Sequence, residues 1–236
     1  MWATGSTRPR TPWGMSNMPR ESKRARLRRM HDEYAILCRV IPEPACALDF
    51  DSPFQLLVAT VLSAQTTDKR VNTVTPALFA AYPTPAALAA ADPQRVEDII
   101  RPIGFYHAKT RNIIALSAQI ESRFAGQVPD TMEELVILPG VGRKTANVVL
   151  GNAFGVPGFP VDTHVIRVTG RLRWRDDWND PTPDPVRIER EITACFPPEE
   201  WTDLSHRLIL HGRATCHARR PDCGACPLND TCPSAH

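Results

Sequence analysis

The sequence predicts an all-α fold, and three features of its pattern indicate that class. Apolar residues recur at intervals of three and four along most of the chain, as they do on one face of an α-helix. Alternating β-branched segments, which would indicate strands, do not occur. Proline or glycine stands at nearly every junction between the helical segments. Together these features predict helices joined by short connections.

The predicted helices begin near Glu21, where apolar side chains follow at helical spacing as far as Ile41. The second helix covers residues 54–64 and is preceded by the helix-start signal Asp51-Ser52-Pro53. Because this helix is apolar on nearly every side, we expect it to be buried at the centre of the molecule. Further helices are predicted over residues 68–82, 84–90, 92–101, 107–124, 131–138, 186–195 and 199–210, with two more beginning at Arg143 and near Thr163.

The composition is that of a globular protein, with 23% charged and 42% apolar residues among 236. No apolar run approaches the roughly 20 residues that cross a bilayer, and the N-terminus lacks the continuous apolar segment of a secretory signal. We therefore expect a bacterial cytoplasmic protein with no membrane partner. Residues 1–20 are expected to form a disordered basic tail.

Arginine dominates the basic residues. Lysine occurs only at positions 23, 69, 109 and 144, which leaves 24 arginines among the 28 basic side chains. The planar guanidinium suits phosphate, although a GC-rich genome produces the same bias. The net charge is only +2, because the first 30 residues carry +7 and the remainder carries −5. Affinity for a nucleic acid must therefore come from the local placement of charge.

A two-glycine turn separates two predicted helices in the string Leu138-Pro139-Gly140-Val141-Gly142-Arg143-Lys144-Thr145-Ala146. Glycine permits a positive φ or the close approach of another backbone. The turn leaves backbone N–H groups unpaired at the start of the second helix, where they form a ready site for a phosphate. The pattern, over about residues 132–154, is typical of a helix–hairpin–helix that grips the DNA backbone. An ordinary αα-turn is the alternative.

Two candidate catalytic residues follow this turn. Lys144 carries an amine that can form a Schiff base, which the guanidinium of arginine cannot. Asp162 lies 18 residues further on, before the helix predicted near Thr163. Each has a simpler explanation: Lys144 as a solvated surface lysine, and Asp162 as a helix N-cap worth about 1 kcal/mol.

Four of the seven cysteines lie near the C-terminus, separated by six, two and five residues: Cys216, Cys223, Cys226 and Cys232. In a reducing compartment such a group indicates a metal site before it indicates disulfides. Structural zinc sites usually contain two short Cys pairs, and only one is present here. Iron–sulfur clusters are also held by cysteine thiolates, at spacings that vary by family. The spacing alone leaves zinc and iron–sulfur open.

Together these motifs resemble the endonuclease III family of DNA glycosylases, which remove oxidised pyrimidines from DNA. The resemblance extends from about residue 25 to the last cysteine and rests on four features: the string Leu62-Ser63-Ala64-Gln65-Thr66-Thr67-Asp68, the hairpin string continued to Leu150, the string Val161-Asp162-Thr163-His164-Val165, and the terminal cysteine spacing. It implies a [4Fe–4S] cluster on the four cysteines. It also implies two helical domains flanking a DNA-binding cleft: a six-helix domain over residues 46–156, and an iron–sulfur domain formed by residues 21–45 and 157–236.

The resemblance also implies the chemistry. The damaged nucleotide is flipped out of the duplex, Lys144 attacks C1′ of its sugar, and Asp162 stabilises the cationic sugar and takes the amine proton. β-Elimination then breaks the strand on the 3′ side of the abasic site. Gln65 would fill the gap left by the flipped base, and Phe105 would wedge from the opposite strand. Many relatives have leucine at the wedge, and simple packing is the alternative for Phe105.

The remaining expected DNA contacts lie in the hairpin, at the start of the following helix and in the loop between the first two cysteines: Gly140, Gly142, Arg143, Thr145, His164, Arg219 and Arg220. His164 has a helix-start position with no such role as its alternative. Four thiolates and a [4Fe–4S]²⁺ core together add −2, so the loaded protein is formally about neutral. A cluster would hold Arg219 and Arg220 in place against the phosphates.

The predicted function is that of a monomeric, nucleoid-associated glycosylase and AP lyase acting on double-stranded DNA. A monofunctional glycosylase of the adenine-mismatch type is one alternative, but those relatives lack the nucleophilic lysine that Lys144 supplies. A non-catalytic iron–sulfur DNA-binding module is the other. That alternative predicts that replacing Asp162 has no effect on function.

Overall fold

A computed structural model describes residues 21–236, which contain α-helices and no strand. The all-α prediction is confirmed, while the predicted tail over residues 1–20, with part of the +7 segment, lies outside the described residues. Within residues 21–236 no helix is long and apolar enough to cross a bilayer. The helices are α1 (Lys23–Val40), α2 (Pro53–Leu62), α3 (Asp68–Val71), α4 (Thr75–Ala81), α5 (Pro85–Ala89), α6 (Pro93–Ile100), α7 (Tyr106–Phe124), α8 (Met132–Leu135), α9 (Arg143–Val149), α10 (Thr163–Arg171), α11 (Pro185–Thr193) and α12 (Trp201–Ala214).

Side-chain caps start most of these helices where the sequence predicts them. The Ser52 side chain accepts a hydrogen bond from the backbone N–H of Gln55 at the start of α2, and Pro53 occupies the first turn. Every residue of α2 from Leu56 to Leu62 is buried. The central buried helix predicted over residues 54–64 is therefore confirmed.

The predicted boundaries differ from the structure in three places. The helix predicted over residues 68–82 is two helices, because Pro76 lacks the N–H that would continue the first one. The helix predicted over residues 131–138 is a single turn, α8. After α9 the α-helix continues as a π-helical turn, Leu150–Phe154, which ends at Gly155 with φ +66°. Such π-turns occur mostly as local bulges in helices.

The apolar side chains form two hydrophobic cores. The first runs from Leu48 to Leu150 and surrounds α2, which packs on α7 and α9. The second combines α1 with residues from Phe159 to Leu228, and its helices α1 and α10 both pack on α12. The chain thus forms two helical domains, and their boundaries at residues 46–156 and 21–45 with 157–236 stay a prediction.

Polar contacts connect the parts of the chain that carry the two cores, and three of them join two side chains. Arg143 pairs with Glu189 at 2.7 Å and Arg213 pairs with Asp68 at 2.7 Å. His206 Nε2 lies 2.8 Å from Asn152 Oδ1 in the π-turn. These contacts join α9 to α11, α12 to α3 and α12 to the π-turn, so they hold the two domains across the cavity described next.

Candidate active site

An open cavity of about 1020 Å³ lies between the segments that carry the two cores. Lys144 on α9 and Asp162 before α10 both line it, although 18 residues separate them in sequence. The turn that contains Gln65 forms another wall, and His164 and Arg213 complete the side that belongs to the second core. The structure therefore brings together both predicted catalytic residues and two of the predicted DNA contacts.

Asp162 is an N-cap and a cavity residue at once. Its Oδ1 accepts hydrogen bonds from the backbone N–H groups of His164 (2.8 Å) and Val165 (2.9 Å), which fixes the carboxylate at the start of α10. Both bonds use Oδ1, so Oδ2 is not needed for capping. The N-cap alternative is thus correct as geometry, and it does not compete with a chemical role.

Lys144 is held by a helix that is anchored on its other face. Ala146, Asn147 and Val149 of α9 are buried, whereas the Lys144 side chain is exposed and lines the cavity. Asn147 Nδ2 also donates to the carbonyl of Phe159, at 3.4 Å, just before the segment that carries Asp162. Because α9 carries Lys144 and also bonds to Phe159, three residues before Asp162, it helps to fix the position of Asp162 relative to Lys144.

The two hairpin glycines differ in whether the fold requires a glycine at their position. Gly140 has φ +78°, and a Cβ built there would lie 2.9 Å from Asn112 Nδ2 and 3.0 Å from its Cβ. Gly142 has φ −99°, and a Cβ there would meet no atom of the described residues within 4 Å. The fold of this chain requires Gly140, whereas nothing in the fold requires Gly142. The open space in front of Gly142 leaves the start of α9 accessible to a backbone phosphate.

This difference predicts opposite effects for the two alanine variants. Gly142→Ala is expected to leave the free energy of unfolding unchanged within about 1 kcal/mol, yet to weaken DNA binding, because a methyl group blocks the approach of the phosphate. Gly140→Ala is expected to lower that free energy by about 1–2 kcal/mol. Urea denaturation and fluorescence anisotropy on an undamaged duplex measure the two quantities. Wild-type DNA affinity in Gly142→Ala would show that the hairpin does not approach phosphate this way.

Gln65 and Phe105 share an unusual backbone conformation. Both are non-glycine residues in the left-handed region, with φ +55° and +50°, which costs about 1–2 kcal/mol per residue. Phe105 is 68% exposed, so simple packing does not account for it. The helix α3, just after Gln65, packs against the 3₁₀ turn Arg101–Ile103, just before Phe105. Two strained, exposed side chains therefore occupy neighbouring turns.

The other predicted DNA contacts lie in different surroundings. Arg143 forms a two-pronged ion pair with Glu189 (2.7 and 2.8 Å), and the hydrogen bond to Glu189 raises the pKa of Arg143. Arg143 therefore braces the hairpin against α11, and its contact with DNA stays a prediction. His164 Nδ1 accepts from Arg167 Nη2 at 2.9 Å, and burial lowers the pKa of His164. Thr145 is half-buried in the first turn of α9.

Sequence reasoning did not single out Asp68 as a site residue. Its carboxylate pairs with Arg213, 145 residues away, and both line the cavity beside Lys144. His206 lines an adjoining cavity of about 70 Å³ together with Lys144 and Asp162. Residues so far apart in sequence carry no local signal that they meet.

The four predicted cysteine ligands line one cavity of about 100 Å³, beside Arg171 on α10 and His211 on α12. Within residues 21–236 no three His, Cys, Asp or Glu side chains converge as the ligands of a single metal ion do. Four thiols that line one cavity supply the donor atoms that hold an iron–sulfur cluster.

The loop after the first of these cysteines is held by α10. Arg171 Nη1 donates to Cys216 Sγ (3.3 Å) and to the carbonyl of His217 (2.6 Å), and Arg167 Nε donates to the carbonyl of Cys216 (2.9 Å). Arg219 and Arg220 project from the same loop and are exposed. The helix that begins at Asp162 thus also supports the loop that presents these two guanidinium groups.

Two family descriptions match the chain. Residues 58–198 match the "HhH-GPD superfamily base excision DNA repair protein" family, and residues 216–232 match the "Iron-sulfur binding domain of endonuclease III". The first range contains Lys144 and Asp162, and the second contains the four cysteines of the C-terminal cavity.

Several similar proteins are named endonuclease III. Those called endonuclease III include one from Synechocystis sp., 50% identical over 201 residues (85% of this chain, 90% of the relative), and one from Escherichia coli, 44% identical over 191 residues (81% and 88%). Two solved structures are similar in fold, each with a TM-score of 0.81, 42% identity, and coverage of 88% of this chain and 96% of theirs. They are described as "Structure of a non-covalent Endonuclease III-DNA Complex" and "Structure of a Trapped Endonuclease III-DNA Covalent Intermediate: Estranged-Adenine Complex".

Proposed function

The chain belongs to the endonuclease III family of the HhH-GPD superfamily, and from this premise we propose what its site residues do and on which DNA they act. Membership makes the protein a base excision repair DNA glycosylase with AP lyase activity. It also assigns a [4Fe–4S] cluster as the cofactor, for which the four thiols of the C-terminal cavity have the required donor chemistry.

The proposed substrate is an oxidised pyrimidine such as thymine glycol, or an abasic site, in double-stranded DNA. The cavity that holds Lys144 and Asp162 is open to solvent, and its volume of about 1020 Å³ accommodates a flipped nucleotide. We propose that the protein acts as a monomer, in the bacterial cytoplasm at the nucleoid, because one chain supplies both catalytic residues and the DNA-facing turns.

One observation carries the proposed mechanism: Lys144 and Asp162 line the same cavity. The Lys144 amine attacks C1′ of the flipped nucleotide, and the electron pair of the breaking C1′–N bond leaves with the base. Asp162 stabilises the positive sugar and accepts the proton that the amine loses on forming its C–N bond. Its place as N-cap through Oδ1 fixes the carboxylate before the substrate arrives, so no reorganisation is needed.

The second half of the reaction uses the same lysine. The sugar ring opens to leave an iminium between Lys144 Nζ and C1′, which makes the hydrogen on C2′ acidic. Loss of that proton forms the C2′–C3′ double bond and expels the 3′ phosphate. Hydrolysis of the iminium then releases Lys144 as the free amine. The DNA strand is cut on the 3′ side of the original lesion.

Gln65 and Phe105 are proposed to keep the nucleotide out of the duplex. Gln65 fills the gap that the flipped base leaves, and Phe105 inserts from the side of the opposite strand. The support is their exposure and their neighbouring left-handed turns, which hold both side chains off the body of the protein. Gly140, Gly142, Thr145 and His164 are proposed to contact the phosphates around the flipped nucleotide.

Cys216, Cys223, Cys226 and Cys232 would hold the cluster, and binding it through all four thiolates would order the C-terminal segment. The chain's own contribution is the set of hydrogen bonds from Arg167 and Arg171 to the backbone of the first loop. Together they hold Arg219 and Arg220 in position for phosphates.

Reversing these two charges tests that placement. Arg219→Glu combined with Arg220→Glu is expected to weaken duplex binding and to flatten the slope of log K against log salt by about two units, because two phosphate contacts are lost. Anisotropy titrations between low and physiological salt measure the slope. The control is Arg95→Glu combined with Arg123→Glu, which changes the net charge equally at exposed sites on α6 and α7. An unchanged slope in the loop variant would contradict the proposal.

One assay separates the proposed function from its two alternatives. The holoenzyme is incubated with a thymine-glycol duplex, with and without borohydride, and products are resolved before and after alkali. The proposed function predicts nicking without alkali and a covalent complex with borohydride, because the iminium is reduced. A monofunctional glycosylase nicks only after alkali, and a non-catalytic module leaves the base in place.

A further inference from the structure

Lys109 is the one lysine of this chain that is buried, with 4% of its surface exposed. It lies in α7, one turn after Phe105, and its backbone N–H donates to the Phe105 carbonyl at 3.1 Å. Burying an ammonium is costly, and the positive end of the helix dipole adds to the cost at this position. Burial accordingly lowers the pKa of Lys109. An apolar side chain would fill the same space at a lower cost.

The ammonium of Lys109 has a specific acceptor. Its Nζ donates to the carbonyl of Ile103 at 3.4 Å, and Ile103 is the last residue of the 3₁₀ turn Arg101–Ile103. Carbonyls at the end of a helical turn lack backbone partners, and a cation there is favourable. Ile103 itself is buried in the first core. The side chain of Lys109 therefore ties the end of this turn to α7 from inside the protein.

Only Gly104 and Phe105 lie between the end of this turn and α7. Gly104 has φ +69° and ψ 163°, and Phe105 has φ +50° and ψ 23°. No side chain caps α7 at Phe105. Gly104 adopts its positive φ freely, whereas Phe105 persists in the left-handed region only where its surroundings over-determine it. Lys109 contacts Ile103, just before Gly104 and Phe105, through its side chain, and it contacts the carbonyl of Phe105 itself through its backbone N–H.

We propose that Lys109 is a positioning residue for the wedge: its ammonium, bonded to the Ile103 carbonyl, holds Gly104 and Phe105 in the left-handed turn that projects Phe105 into the duplex. This inference rests on the wedge role of Phe105 in the proposed function. Without the ammonium, the buried Ile103 carbonyl loses this donor and the turn is free to relax to ordinary negative φ. Phe105 then points elsewhere, while the chemical residues Lys144 and Asp162 are untouched.

The experiment places 2-aminopurine opposite a tetrahydrofuran abasic analogue in a duplex and measures its fluorescence change on saturation with holoenzyme. The wedge unstacks the reporter base, so wild type gives a large change that Phe105→Ala abolishes. Lys109→Met is expected to lose at least half of that change, and single-turnover base release from thymine glycol is expected to fall about tenfold. The double variant is expected to match Phe105→Ala, because the two residues act through one contact.

Arg123→Met is the matched control, since it removes an exposed cation at the other end of α7. Thermal melting verifies that each variant is folded. If Lys109→Met does not fold, Lys109→Leu, which also lacks an N–H donor, is compared with Phe105→Ala by the same criterion: a loss of signal of twofold or more supports the proposal. A wild-type signal in a folded Lys109 variant, or additive losses in the double variant, overturns it.

Failure of this inference is distinguishable from failure of the proposed function. If wild type neither nicks thymine-glycol duplex nor is trapped by borohydride, the proposed function is wrong. If Phe105→Ala keeps the wild-type fluorescence change, the wedge is wrong and the inference falls with it. If wild type nicks, Phe105→Ala loses the signal and Lys109→Met keeps it, the role of Lys109 alone is wrong.

Discussion

Lys144→Gln is expected to abolish borohydride trapping and to slow strand nicking by roughly 10⁴-fold or more, because no other amine forms the iminium. Glutamine has a similar length but no nucleophilic amine. The side chain is exposed on α9, so the free energy of unfolding is expected to stay within about 0.5 kcal/mol of wild type. Single-turnover nicking and denaturing electrophoresis of trapped complexes measure the two effects.

Lys69 provides the matched control, because it lines the same cavity and is also exposed. Lys69→Gln is expected to be trapped like wild type, because this variant keeps the amine of Lys144. Loss of trapping in Lys69→Gln together with wild-type trapping in Lys144→Gln would show that Lys69, and not Lys144, is the nucleophile. The comparison therefore decides which lysine reacts.

Asp162→Asn is expected to slow base release by about 10²–10³-fold while leaving DNA binding in place. Asparagine is as good an N-cap as aspartate, so the hydrogen bonds from His164 and Val165 to Oδ1 are kept. What disappears is the negative charge that stabilises the sugar cation and accepts the proton of Lys144. The rate is measured under single turnover on a thymine-glycol duplex, and binding by anisotropy.

Asp162→Ala separates the cap from the chemistry. Alanine removes both, so this variant is expected to lose about 1 kcal/mol of unfolding free energy in addition to the activity lost in Asp162→Asn. Urea denaturation of the three proteins measures the difference. If Asp162→Asn released base at the wild-type rate, Asp162 would be a cap and nothing more, and the non-catalytic alternative would gain support.

The sequence carries a signal for residues that stand in a motif and none for residues that pair across the fold. Lys144 and Asp162 were found because each stands in a recognisable string, and the structure brings both to one cavity. Asp68 was not singled out, because its partner Arg213 lies 145 residues away. The guanidinium of Arg143 is bound to Glu189 on α11, and its predicted contact with phosphate stays a prediction. The sequence around Asp68 does not indicate Arg213 as its partner, and the sequence around Arg143 does not indicate Glu189.

The same distinction explains the boundaries of the helices. The starts of α2 and α10 were predictable, because Ser52 and Asp162 cap N–H groups two or three residues away. The division between α3 and α4 and the π-turn after α9 were not predicted. The helical spacing of apolar residues continues without a break from α3 into α4. The π-turn depends on the close approach of α12, since a Cβ on Gly151 would lie 2.4 Å from Thr202 Oγ1.

By itself the sequence determined the helical class and most helix starts, since hydrogen bonds and caps within a helix join residues at most four positions apart. It also singled out the set of four cysteines by their close spacing. Only the tertiary structure decided that Lys144 and Asp162 share a cavity, that Gly142 faces open space while Gly140 meets Asn112, and that Lys109 is buried beneath the Phe105 turn. These facts depend on packing between segments distant in sequence, and such packing follows from the shape and burial of whole helices.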